Sequence, residues 1–171
     1  MKVAITGAKG MLGTTLMKTL QGYELFALDR EECDITNPAL VCSVFEKIKP
    51  DVVIHCAAMT AVDLCESKQF EAWKINAFGT TNVAHACNKI GAKLIAISTD
   101  YVFDGELDRP YHEYDQPNGG LNIYAKSKWA AEQAVASLCP NHLIARVSWL
   151  YGGNGPSFVH TMLRLADGTR P

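Results

Sequence analysis

Tyr124 and Lys128 stand four residues apart in "YAKSK", a spacing that puts both side chains on one face of a helix. A tyrosine phenol titrates near about 10, too high for efficient proton transfer at neutral pH. A lysine ammonium beside it is expected to stabilise the phenolate and lower that value. Upstream, the apolar run "KLIAIST" ends in Ser98 and Thr99. A hydroxyl there can hydrogen-bond a carbonyl oxygen and hold it beside the tyrosine. Thr99, Tyr124 and Lys128 would together serve carbonyl reduction. Alone, Tyr-x-x-x-Lys is common by chance and reads more readily as two solvent-facing side chains.

A second pattern changes that weighting. "VAITGAKGMLG" carries Gly7, Gly10 and Gly13 at three-residue intervals, after an apolar run and before a helix-like stretch. Gly7 falls where a tight turn often needs positive φ. Gly10 would let the backbone approach a diphosphate, and Gly13 would let the helix pack closely on the strand. Met11 and Leu12 open that helix, whose N–H groups and dipole would face the anion. The context, strand then glycines then helix, makes a dinucleotide site the expected use. At the end of the second apolar run stand Asp29 and Arg30. An acid there favours NAD by binding the ribose hydroxyls, whereas an arginine favours NADP by holding the 2′-phosphate. With both present, NADPH and NADH stay open.

These residues need a scaffold that brings strand ends together. Strand-like runs occur at 2–6, 23–29, 51–58, 93–99 and 142–150. Helix-like stretches lie between them at 11–21, 37–48, 66–90 and 123–138, with another at 157–167 stopped by Gly168. Leu12, Leu16 and Leu20 recur every four residues, and Asn37-Pro38 is a helix-start signal. Alternation over the whole length predicts an α/β fold: a three-layer, doubly wound parallel sheet of Rossmann type, with residues 1–171 as one cofactor-binding domain. The polar stretch 104–122 has no periodicity and is long for a plain connection, so a functional surface loop is expected.

Composition narrows the partners. A net charge of −2 does not indicate a nucleic-acid surface. No apolar run approaches the length of a membrane span, and residues 1–9 lack the pattern of a signal peptide. The six cysteines include no CxxC pair and no His at zinc-ligand spacing. Reduced thiols in a cytoplasmic protein are expected, with Cys56 a buried small hydrophobe.

The three-glycine spacing is that of the extended short-chain dehydrogenase/reductases. "CAAMTAVDLCE" (56–66), "ISTDYVFDG" (97–105), "LNIYAKSKWAAEQ" (121–133) and "RVSWLYG" (146–152) resemble, more narrowly, the dTDP-4-dehydrorhamnose reductases. That resemblance implies reduction of the 4-keto group of a dTDP-linked sugar. By matched position it implies that Thr99 orients the carbonyl, Tyr124 donates the proton, and Lys128 binds the nicotinamide ribose and tunes Tyr124. It places Asp34 and Ile35 at the adenine, and Ala57, Ala58, Met59 and Thr60 beside the nicotinamide. Val62, Asp100, Tyr101 and Trp149 would touch the sugar; Trp149 also reads as a core aromatic. Tyr101 follows Thr99-Asp100 where related dehydratases carry an Asp-Glu pair, which disfavours dehydration. Two positions depart from the family pattern: Ala125 replaces the usual Gly after Tyr124, and "PNGGLN" lacks the usual proline before the leucine.

Such reductases are nearly twice as long. A truncated piece lacking the C-terminal substrate domain is therefore expected, able to bind dinucleotide, poorly active alone and open to self-association, as in a homodimer, through uncovered apolar surface. No metal site is expected within these residues. Two other readings compete: another sugar-nucleotide reductase or epimerase of the superfamily, and a binding subunit resembling the regulatory subunit of methionine adenosyltransferase.

Overall fold

The apolar runs become five short strands: β1 (Lys2–Thr6), β2 (Glu24–Leu28), β3 (Val52–His55), β4 (Lys93–Thr99) and β5 (His142–Val147). A computed structural model describes residues 1–153, 155 and 157–168, so the end of the polar segment "ADGTRP" lies outside the described residues. All neighbouring strands pair in parallel, in the order β2-β1-β3-β4-β5. This is the doubly wound, Rossmann-type sheet that the alternation predicts. The strand order reverses between β1 and β3, and a crevice opens there at the carboxyl ends of the strands.

Alternate side chains of β1 feed two separate cores. Ala4 joins Val53, Leu94 and Ala96 against one helical layer, while Val3 and Ile5 join Ile54 beneath Leu16, Met17 and Leu20 on the other face. Helix α1 (Met11–Thr19) covers that second face. The first face is covered by α2 (Pro38–Ile48), through Val41 and Phe45, and by residues further along the chain. Asn37 caps α2 by accepting from the Leu40 amide at 3.2 Å, with Pro38 in the first turn as its fixed φ favours.

The stretch expected as one helix over 66–90 is instead four pieces. It opens earlier, with α3 (Val62–Ser67), breaks at Lys68, and resumes as α4 (Gln69–Ala72). A π-helical segment, Trp73–Gly79, follows before α5 (Thr80–Ile90), which ends on Gly91 at φ 74°. The widened turn places Asn76 fully in the interior, where its amide needs polar partners. It finds them in the Met59 N–H and carbonyl and in the Ser127 hydroxyl. Helical periodicity does not report one extra residue per turn.

Helix α6 (Ile123–Leu138) matches its expected bounds, and the Asn122 side chain caps it by accepting from the Ala125 amide at 2.8 Å. Helix α7 (Phe158–Ala166) buries none of its residues. The polar 104–122 stretch is a loop tied internally: the Tyr111 hydroxyl donates to Asp104, and Arg109 grips Asp115 with both terminal nitrogens. Phe103 stacks on Tyr111 at 4.2 Å. All six cysteines are free thiols.

A close backbone approach lies at the first turn. A Cβ on Gly13 would stand 2.3 Å from the Gly7 carbonyl oxygen and 2.7 Å from the Ala8 Cα. Gly13→Ala should therefore lower the unfolding free energy by about 2–3 kcal/mol in urea titration. Gly22, at φ 108° with open space around it, serves as the comparison. Gly22→Ala should cost about 1–2 kcal/mol, from backbone conformation alone. Equal losses would mean that the helix-to-turn contact does not limit stability.

Candidate active site

The glycine turn forms as its spacing implies. Gly7 takes φ 67°, and a Cβ there would lie 2.7 Å from the Ala57 nitrogen, so β1 and the chain leaving β3 meet backbone to backbone. Gly10 precedes α1, whose N-terminus has no side-chain cap and no acidic residue in its first turn. Unpaired N–H groups with no competing carboxylate suit a bound diphosphate, so these residues fit a dinucleotide. Two cavities, of about 520 and 530 Å³, share Gly7, Gly10, Cys56 and Ala58 in their walls. Cys56 is half-buried rather than part of a closed core; burial still pushes its thiol up to about 12.

The first cavity gathers Asp29, Arg30, Asp34, Ile35 and Ala57. Asp29 is already engaged, accepting from the Lys9 and Arg30 amides, each at 2.9 Å. Its carboxylate shapes the turn, a use that residue type alone does not reveal. The Arg30 side chain is 89% exposed and stands 4.0 Å from Asp34. Asp34 is held below the usual carboxylate range, first by the Thr36 amide, then by the Thr36 hydroxyl and Arg30. Lys9, Thr36, Glu71, Lys74 and Ile75 also line this cavity and were not anticipated. Lys74 and Ile75 reach it from the π-helical segment, which sequence periodicity hides.

The second cavity brings together Met11, Leu12, Gly13, Thr60, Val62, Thr99, Asp100, Tyr101, Tyr124, Lys128 and Trp149. Met59 lines neither cavity, and its backbone N–H and carbonyl are both taken up by Asn76. Trp149 is no core aromatic. It is 68% exposed, sits at φ 51°, and meets Phe158 edge-on at 4.9 Å. Ile97, Val147, Ser148 and Leu150 complete the wall from strand ends that no short motif marks.

Thr99 Oγ1 accepts from the Tyr101 amide at 3.2 Å and donates to Asp100 at 3.1 Å. Asp100 in turn accepts from the Ser148 hydroxyl at 2.6 Å. Lys128 is buried and donates from Nζ to the Ile97 carbonyl at 2.7 Å. Desolvation brings its ammonium down to about 8, with the nearby Glu132 charge opposing that fall. Tyr124 departs from expectation. Its phenol lies above its ordinary value because burial disfavours the phenolate, while the Thr99 hydroxyl opposes the rise. Lys128 shares the cavity with the phenol, its ammonium held by the Ile97 carbonyl. The Tyr101 ring stands edge-on to Tyr124 at 6.0 Å.

The two departures from the family pattern meet in space. Gly120 is at φ 62°, and a Cβ on it would fall 2.6 Å from the Ala125 methyl and 2.0 Å from the Tyr101 carbonyl oxygen. The second glycine of "PNGGLN" leaves room for the methyl that Ala125 adds behind Tyr124.

The chain is similar in sequence and fold to known proteins. A dTDP-4-dehydrorhamnose reductase of Streptomyces griseus is 45% identical over 164 residues, covering 94% of this chain and 54% of that protein. A crystal structure of a dTDP-4-dehydrorhamnose reductase from Clostridium acetobutylicum superposes with a TM-score of 0.95 at 46% identity, over 98% of this chain and 60% of that one. The Bacillus anthracis enzyme of the same name, solved in complex with NADP, gives 0.94 at 45% identity, over 99% and 61%. The chain spans about half the length of the curated relatives it matches. The family described as the RmlD substrate binding domain matches residues 1–171 throughout, and the chain belongs to that family.

Proposed function

We propose that this chain carries the dinucleotide site and the proton-donating residues for NADPH- or NADH-dependent reduction of the 4-keto group of dTDP-4-dehydro-L-rhamnose to dTDP-L-rhamnose. The observation that carries the reading is the convergence of Thr99, Tyr124 and Lys128 in one cavity with the glycine turn and the start of α1. Reductases 43–45% identical over nearly the whole chain support the substrate.

A reduced nicotinamide, when bound, supplies the hydride. The chain's residues do the rest. Gly10 and the Met11, Leu12 and Gly13 amides hold the diphosphate. The Thr99 hydroxyl turns its one hydrogen from Asp100 to the substrate carbonyl oxygen and orients it. Tyr124 gives its proton to the same oxygen as negative charge develops there. Lys128 holds the ribose hydroxyls and supplies positive charge near the phenol. Val62, Asp100, Tyr101 and Trp149 face the sugar from the same cavity.

Titration of NADPH, and of NADH in parallel, into the chain by calorimetry tests the cofactor site. Binding of either is expected; a folded chain that binds neither would overturn the reading. Arg30, exposed and weakly paired, is a group free to take a 2′-phosphate. Arg30→Ala should weaken NADPH about tenfold and leave NADH unchanged. Equal losses for both cofactors would assign the arginine to neither. In assays with dTDP-4-dehydro-L-rhamnose, Tyr124→Phe should retain cofactor affinity and lower kcat by about 10²–10⁴-fold. Unchanged kcat would remove Tyr124 from the chemistry.

A further inference from the structure

Glu132 lies one helical turn beyond Lys128 on α6 and is 5% exposed. Both its oxygens are engaged. Oε1 accepts from the Ser98 hydroxyl at 2.5 Å and from Arg146 Nε at 3.0 Å, and Oε2 accepts from Arg146 Nη2 at 2.7 Å. Ser98 and Arg146 are register partners at the ends of β4 and β5. One carboxylate thus ties α6 to two strand ends. The residues flanking Ser98 belong to the site: Ile97 receives the Lys128 ammonium, and Thr99 faces Tyr124. Arg146 also lies over the Phe103 ring at 5.1 Å, which reaches the 104–122 loop through Tyr111.

A buried ion pair is a poor choice for holding a helix in place, because an apolar pair of similar volume does so without the desolvation cost. The charge itself therefore needs a reason, and Lys128 supplies one. Among the groups around Lys128, His55 and Cys56 come from the end of β3 and Tyr124 from its own helix. Burial keeps His55 neutral, at about 3, and Cys56 protonated, at about 12. Tyr124 stays a neutral phenol. Arg146 is cationic, on the far side of Glu132. Glu132 provides the negative charge that opposes the desolvation of the ammonium.

We propose that Glu132 is a positioning residue for the Tyr124–Lys128 pair: gripped by Ser98 and Arg146, it sets α6 against the ends of β4 and β5 and keeps the positive charge on Lys128. The inference rests on the role given to Lys128 above. Removing the Glu132 charge leaves desolvation and the Arg146 cation acting in the same direction. The Lys128 midpoint then falls, and a larger fraction of Lys128 is neutral near pH 7.

The test follows the chain labelled with ¹³Cε-lysine through a pH titration, with the Lys128 signal identified by its loss in Lys128→Met. A midpoint near 8 is expected for the native chain, and a midpoint lower by about one pH unit or more in Glu132→Gln. Glu132→Gln/Arg146→Gln removes the cation left unpaired and should shift the midpoint in the same direction by less. It stands in if the single variant fails to fold. A lower melting temperature with an unmoved midpoint would make Glu132 a structural tie only and overturn the proposal, as would failure of both variants to fold. NADPH calorimetry on the native chain separates this from the cofactor reading. A moved midpoint without binding sinks the reductase function and leaves the charge coupling standing.

Discussion

The contact between α1 and the turn after β1 determines where everything else in the site can stand. Gly13 sits where a Cβ would be 2.3 Å from the Gly7 oxygen, closer than any side chain allows. Gly7 meets the chain leaving β3 almost as closely, with a Cβ there 2.7 Å from the Ala57 nitrogen. These two approaches lay the start of α1 across the strand ends. They also make Gly7 and Gly10 common walls of the two cavities. A molecule crossing from one cavity to the other must pass the uncapped N–H groups of α1. An extended ligand with anionic charge at its middle fits that path, and a dinucleotide has that shape.

Two electrostatic habits distinguish the two halves. In the first cavity the charged groups are wet. Arg30 and Lys9 are largely exposed, and the Lys9–Glu31 pair is a surface pair of small energetic weight. Such groups can re-pair with an arriving phosphate at little cost. In the second cavity the charges are buried and fixed. Lys128 has its hydrogen bond to a backbone carbonyl, and Glu132 accepts three, from Ser98 and Arg146. In the proposed reaction, selection of a cofactor would fall to the first kind of surface, and alignment of a reacting carbonyl to the second.

Much of this was legible in the residues because the relevant partners are neighbours in the chain. The three glycines, the cap at Asn37 and the Tyr124–Lys128 spacing are local patterns, and each formed as its spacing requires. Strand–helix alternation likewise led to the parallel sheet. What stayed hidden depends on partners far apart or on irregular backbone. Glu132 reaches Ser98 across 34 residues, and Asn76 reaches Ser127 across 51. The π-helical segment leaves no mark in a 3.6-residue period, so Lys74 and Ile75 entered the first cavity unannounced. Asp29 was readable as an acid at the right strand end, but not as one whose oxygens are given to two backbone amides. The raised Tyr124 pKa was unreadable for another reason: desolvation depends on everything packed around the phenol, and a motif reports only the lysine.

That raised value also bears on the direction of the proposed chemistry. A proton donor must keep its proton until the acceptor becomes basic. A Tyr124 brought down close to neutral would ionise in part near pH 7 and reach the substrate carbonyl as an acceptor. Burial prevents this, and Thr99 leaves the phenol a hydroxyl partner that opposes the rise. The Lys128 charge is then most valuable after proton transfer begins, when the phenolate forms in a poorly hydrated cavity. Stabilisation aimed at charge that develops during reaction, rather than at charge already present, is what lowers a barrier. In the proposed reduction, α6 would carry both the proton donor and the cation that its product needs.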